Sequence, residues 1–213
     1  MSSAGTPTAD ERQRALDRLA ERVLARLAPL TFSVATTPAE RDAVLRMRYE
    51  CVVGMGWARP EDHPDGRERD EHDADAIFIV GRENGTTVGS LRLILPTPGL
   101  LLPTERDSGI RVRPLGGVAE AGRIIVAPSA RRGRSHLILA GLCARGWFEA
   151  CAHGYDQVVS TAAADVLDFY RGLGLRITVL GPAQKQWGER RVPVRVEGDP
   201  ESFGFLAESE RDR

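Results

Sequence analysis

Between Ile124 and Phe148 the chain changes its apolar period once, and the change falls on an Arg/Gly turn. Ile124-Ile-Val126 is an apolar run of strand type, and Leu137 to Phe148 carries apolar residues at helical spacing. Val126-Ala-Pro-Ser-Ala-Arg131-Arg-Gly-Arg-Ser135 joins them. A strand that turns so abruptly into a helix leaves backbone N–H groups unpaired at the positive end of the helix dipole, which is what a diphosphate needs. Arg131 to Arg134 could be only an exposed, solubilising turn. Their place between strand and helix favours an anion cradle.

The rest of the chain supplies a frame for that junction. Thr8-Ala-Asp-Glu11 has the form of a capping box, followed by Leu16, Leu19, Ala20, Val23, Leu24 and Leu27 on one helical stripe. This predicts an amphipathic leader helix within residues 1–30 that either lies on the domain or makes a homodimer contact. Thr31 to Ala35 suits a strand, and Pro38 to about Met55 a helix. Trp57 to Asp75 is a long Pro/Gly/acid-rich loop, a class that is functional or disordered more often than neutral. Ile77–Val80 and Val88–Leu95 flank Asn84-Gly85 and predict an antiparallel hairpin. Pro96 to Gly117 is irregular, and Val118–Val126 is the strand that enters the Arg/Gly turn. A strand at Gln157–Thr161, a short helix at Asp165–Leu173 stopped by Gly174, and strands at Arg176–Leu180 and Val192–Val196 follow.

The order β-α-β-β-β-α-β-α-β-β, the Val126-x-Pro128 strand end with its Arg/Gly turn, and Phe169-Tyr170-Arg-Gly-Leu-Gly174 resemble the GCN5-related N-acyltransferase superfamily. The resemblance spans roughly residues 31 to 197. It implies an α/β fold with a mixed, mostly antiparallel central sheet flanked by helices. An acyltransferase domain would occupy residues 31–200, with a C-terminal tail at 201–213. It further implies that acyl-CoA or acetyl-CoA lies along Ile125 and Val126, with its diphosphate on Arg131, Arg132, Gly133, Arg134 and Ser135. Tyr170 falls where the family has the tyrosine that protonates the departing thiolate. Aminolysis of a thioester needs a base, oxyanion donors and an acid. Glu120, on the strand leading to the turn, is the candidate base, and backbone N–H groups near Ile124 to Val126 are candidate donors. Arg134 and His136 stand where the family's turn usually has small residues.

Arg48, Trp57, Glu68-x-Asp70-x-x-Asp73, Arg92 and Glu120-x-x-Arg123 occur in the order found in acyl-homoserine-lactone synthases and N-acyl amino acid synthases. That resemblance implies an ionic lattice of Arg48, Glu68, Asp70, Asp73, Arg92, Glu120 and Arg123 that orders the loop, with Trp57 covering the acceptor. It also brings in acyl carrier protein phosphopantetheine as an alternative donor. Val52 departs from the aromatic usual after Arg48, and Trp57 comes about one residue early. Clustered carboxylates beside a catalytic strand favour a cationic acceptor such as an ammonium or a sulfonium.

Three readings follow: a small-acyl N-acetyltransferase acting on a small-molecule amine, a lactone-synthase-like enzyme fed by acyl carrier protein, and a CoA-binding module without turnover. Tyr170 and the Arg/Gly turn favour the first; the loop lattice and the irregular turn favour the second. A formal charge of −1 gives no reason to expect nucleic acid. Histidines 63, 72, 136 and 153 lack ligand spacing, so no metal is expected. The three cysteines form no CxxC, and no apolar stretch is long enough to span a membrane, so a cytoplasmic location is expected. Trp147, Phe148 and Trp187 read as packing residues.

Overall fold

The computed structural model describes residues 8–112, 117–131, 133–172 and 175–198. The expected tail at 201–213, Arg132 and Gly174 lie outside them, as does the side chain of Phe169. Helix α1 spans Ala9–Arg26 and opens on the capping box read from Thr8 and Glu11. Strand β1 is Thr31–Val34, and helix α2 is Pro38–Gly54. A second capping box, Thr37 with Glu40, and Pro38 at its first position start α2. Strands β2 (Ile77–Glu83) and β3 (Thr86–Ile94) form the hairpin. Asn84 and Gly85 both take positive φ, 49° and 80°, as a tight primed turn requires.

The stretch expected to be irregular before β4 contains a short helix, α3, at Pro103–Ser108. Strand β4 is Val118–Val126, α4 is Ser135–Ala152, β5 is Gln157–Ala163 and α5 is Ala164–Gly172. Strands β6 (Leu175–Val179), β7 (Gln184–Gln186) and β8 (Glu189–Gly198) complete the chain. The periodicity found β6 and a shorter β8. The three-residue β7 is too short to carry a pattern.

One sheet runs β1-β2-β3-β4-β5-β8-β6, with β7 on β8. Among the described pairings only β4 with β5 is parallel. It covers Val118–Glu120 against Gln157–Val159 and ends there. Alternation sorts the side chains into two layers. Phe78, Val80, Ile94 and Val118 pack with Val44 of α2 on one face. Ile79, Leu91, Leu93 and Ala119 pack with Ile138 and Leu142 of α4 on the other. The apolar stripe of α1, through Leu19, Ala20 and Val23, joins this second cluster on the same chain. Of the two alternatives for the leader helix, the stripe therefore takes the one within the domain. Close approach is enforced at Gly141, where a Cβ would stand 2.2 Å from the Phe32 ring.

Candidate active site

The acidic loop is held by a buried ionic lattice on the α2 face of the sheet. Arg48, fully buried on α2, binds Glu68 and makes two contacts to Asp73 at 2.8 and 3.1 Å. Arg92 on β3 reaches Asp70 at 2.6 Å and Asp73 at 2.9 Å. Arg123 on β4 reaches Glu68 and Asp70, each at 3.1 Å. Burial works against ionisation at Asp70, but the hydrogen bond and charge of Arg92 and the charge of Arg123 outweigh it and hold that carboxyl at about 2. At Asp73 the burial penalty is likewise outweighed, chiefly by Arg48, and its pKa is lowered.

Six of the seven residues expected in the lattice are thus brought together. Glu120 stands apart: its carboxylate accepts the Thr104 N–H at 2.9 Å, so the lattice ion pairs run without it. The electrostatic argument for a cationic acceptor also changes. Three guanidiniums face the three loop carboxylates, and the cluster presents little net negative charge.

Between Gly122 and Ile125 the register of β4 on β3 slips. Ser90 pairs with Ile125 and Arg92 with Gly122, so Arg123 and Ile124 together oppose Leu91. Arg123 takes φ 49°, and the bulge re-aims its side chain toward the acidic loop. It also takes β4 out of regular pairing where the β4–β5 ladder has already ended. The strands part there, and a cleft of about 650 Å³ opens between them. Glu120, Ile124 and Ile125 line one wall, Thr161 to Ala164 and Tyr170 the other. Arg92, Arg123, Val52 and Trp57 reach the same space.

Glu120 is 4% exposed, and its burial outweighs the Thr104 hydrogen bond and the nearby Arg92, raising its pKa to about 7. A carboxyl in that range accepts and returns a proton near neutral pH. Helix α3 supplies both the burial and the bond: Glu105 accepts the N–H groups of Leu102 and Val112, at 3.1 and 3.2 Å, and so fixes the loop that carries Thr104. The Tyr170 phenol is shifted upward by burial and by Cys143, so it stays protonated. It is suited to donating a hydrogen bond to a leaving sulfur.

Four contributors escaped the sequence. Thr104 and Glu105 sit on a helix of six residues, although Pro103 and Glu105 are readable helix-start signals. Trp187, expected only to pack, lines the cleft and stacks on the Arg123 guanidinium at 4.6 Å. Arg191 lies over Trp57 at 5.2 Å. The β7–β8 hairpin thereby meets the lattice and the loop that follows α2 at two cation–π contacts.

At the Arg/Gly turn Gly133 takes φ +72°, and Arg134 caps α4 without a side-chain hydrogen bond. Two of the arginines expected to hold an anion have protein partners. Arg131 donates to the Val126 carbonyl at 3.1 Å, and Arg134 pairs with Glu83 of the hairpin. The Ser135 hydroxyl donates to the Arg131 carbonyl at 3.0 Å. An anion brought to this turn would meet the backbone N–H groups of the first turn of α4 more than these side chains.

Residues 47–141 match the family model of the acetyltransferase (GNAT) domain. Solved structures that share the fold include three synthases or synthase relatives. TofI, in a ternary complex with an inhibitor and MTA, is 22% identical with a TM-score of 0.67, covering 84% of this chain and 96% of its own. BjaI, a CoA-dependent acyl-homoserine lactone synthase bound to SAM and isopentyl-CoA, is 22% identical with a TM-score of 0.62, covering 92% and 85%. FeeM, an N-acyl amino acid synthase from uncultured soil microbes, is 18% identical with a TM-score of 0.65, covering 84% and 96%.

Proposed function

We propose, on the premise that this chain is an acyltransferase with a GNAT domain, that it moves an acyl group from a CoA thioester to the amine of a small molecule by direct attack. The observation that carries this reading is Glu120: a buried carboxyl poised at about 7, on the wall of a cleft that opens where β4 leaves β5 and that also holds Tyr170. The thioester lies along β4 with its diphosphate at the start of α4. Glu120 takes a proton from the acceptor ammonium, directly or through a water, and the free amine attacks the thioester carbon. Backbone N–H groups at the Arg123–Ile124 bulge receive the charge that develops on the carbonyl oxygen. As the carbon–sulfur bond breaks, the Tyr170 hydroxyl donates to the thiolate.

A second reading has its own support. Arg123 and Trp187 reach the cleft together, and a guanidinium stacked on an indole suits an acceptor that carries a carboxylate. In that version the acceptor is an amino acid or a close derivative, and acyl carrier protein is the alternative donor. Both readings put the protein in the cytoplasm, where such thioesters are made; its free cysteines and the lack of a membrane-crossing helix among the described residues are compatible with this.

Thiol release from acetyl-CoA, hexanoyl-CoA and hexanoyl carrier protein across a panel of amines and amino acids tests the proposal. Turnover with at least one pair is expected, with Tyr170→Phe slowing the chemical step far more than it weakens donor binding. Tight donor binding without thiol release from any amine would leave a CoA-binding module in place of an enzyme.

A further inference from the structure

Helix α3 brings one fully buried residue against Glu120 and holds it there. The Thr104 N–H donates to Oε2 of Glu120 at 2.9 Å. The Thr104 carbonyl accepts the Ser108 hydroxyl, and the Ser108 carbonyl accepts the Gln184 amide of β7 at 3.0 Å. Glu105 binds the backbone before and after α3, at Leu102 and Val112, so Thr104 has little room to shift. Its hydroxyl is the part these contacts leave unexplained. Thr104 Oγ1 is buried and has no hydrogen-bond partner among the described residues, an arrangement that costs stability unless the group is used. It lies close enough to the Glu120 carboxylate to favour the charged form, and a hydroxyl can rotate to donate to a carboxylate. Two other charges bear on the same carboxyl: Arg92 of β3 favours its ionised form, and Asp107 of α3 opposes it.

We propose that Thr104 is a positioning residue for the base: its N–H fixes one oxygen of the Glu120 carboxylate, its hydroxyl turns to that carboxylate while it is charged, and the second oxygen is kept on the cleft side for the acceptor ammonium. Thr104 gives up no proton in this scheme; it only donates hydrogen bonds. The proton of the ammonium passes to Glu120 itself. The catalytic meaning of this contact rests on the acyl-transfer reading, whereas the contact can be measured without turnover.

Thr104→Val removes the hydroxyl and keeps the N–H, and Thr104→Ser keeps both. In the full chain, labelled with ¹³C at glutamate, the Glu120 carboxyl is titrated by NMR and assigned by its loss in Glu120→Gln. The pH profile of kcat/KM is measured beside it, as thiol release from acetyl-CoA and hexanoyl-CoA across the amine panel. In the wild type both readouts should turn near about 7. Thr104→Val should move both upward by about one pH unit, the scale of one hydrogen bond to a charged group, and Thr104→Ser should leave both in place. If Thr104→Val does not fold, Thr104→Ala reads the same loss. A carboxyl titration or an acidic limb that stays in place in Thr104→Val overturns the proposal even if the unfolding midpoint falls, as does an equal movement in Thr104→Ser. A titration that moves in Thr104→Val while neither donor is turned over with any amine keeps Thr104 as the group that holds Glu120 and overturns acyl transfer.

Discussion

The two faces of the central sheet solve different problems with the same strands. On β3, Arg92 enters the ionic lattice under α2, while its neighbours Leu91 and Leu93 enter the hydrocarbon cluster under α4. One face holds charge fixed in place at the edge of a polar cleft. The other holds an apolar void closed by a helix. The comparison teaches that side-chain alternation can set a charged cleft and an apolar void a strand's thickness apart on the same strands.

The largest effect expected concerns the charged face. Glu120→Gln removes the proposed base and should lower kcat by about 10²–10⁴-fold in steady-state thiol release. In the wild type, kcat/KM should fall as pH drops below about 7, where Glu120 gains its proton. Next comes Arg48→Met, which takes from Glu68 and Asp73 the fully buried cation they share, leaving Arg123 and Arg92 to face them, and should cost about 3 kcal/mol in urea unfolding. Leu142→Ala on the opposite face opens a cavity in a fully buried site and should cost about 3 kcal/mol. Its cost should stay constant with pH, whereas that of Arg48→Met should shrink in acid; equal pH dependence for both would break the contrast between the faces.

Acid and base titrations sharpen the comparison within the charged face itself. Asp70 and Asp73 are lowered in the fold, so their stabilisation is present above the ordinary carboxylate range and is lost as pH falls through their lowered values, which for Asp70 is about 2. Glu120 is raised, so its contribution is present below about 4.5 and is lost as pH rises through about 7. Glu120→Gln should therefore melt higher than the wild type at pH about 8, with the difference closing by pH about 4. The smallest effect belongs to Trp187→Ala. Losing its stack on Arg123 should raise the acceptor KM about fivefold, the scale of a cation–π contact of about 1 kcal/mol.

Much of this arrangement could be read in the chain before any coordinates. The lattice of Arg48, Glu68, Asp70, Asp73, Arg92 and Arg123 was legible through the resemblance of their order to that of acyl-homoserine-lactone and N-acyl amino acid synthases. The capping box at Thr8 and the Asn84-Gly85 turn were legible because their chemistry is local. Glu120 was legible as a candidate but not as a group apart, because its separation depends on Thr104 of a helix too short to show a period. Trp187 was illegible for a related reason: its meeting with Arg123 joins residues far apart in the chain across a hairpin with a three-residue strand. The apolar cavity had no signal at all, since it is a space between elements that individually look well filled.

The lattice lies wholly within residues 48–123, whereas the far wall of the cleft comes from residues 160–191. A chain emerging from the ribosome therefore carries every member of its ionic framework before the second wall of its reaction chamber has been synthesised. The charged scaffold can set while the chamber still lacks a side, and catalytic competence arrives only with the last strands made.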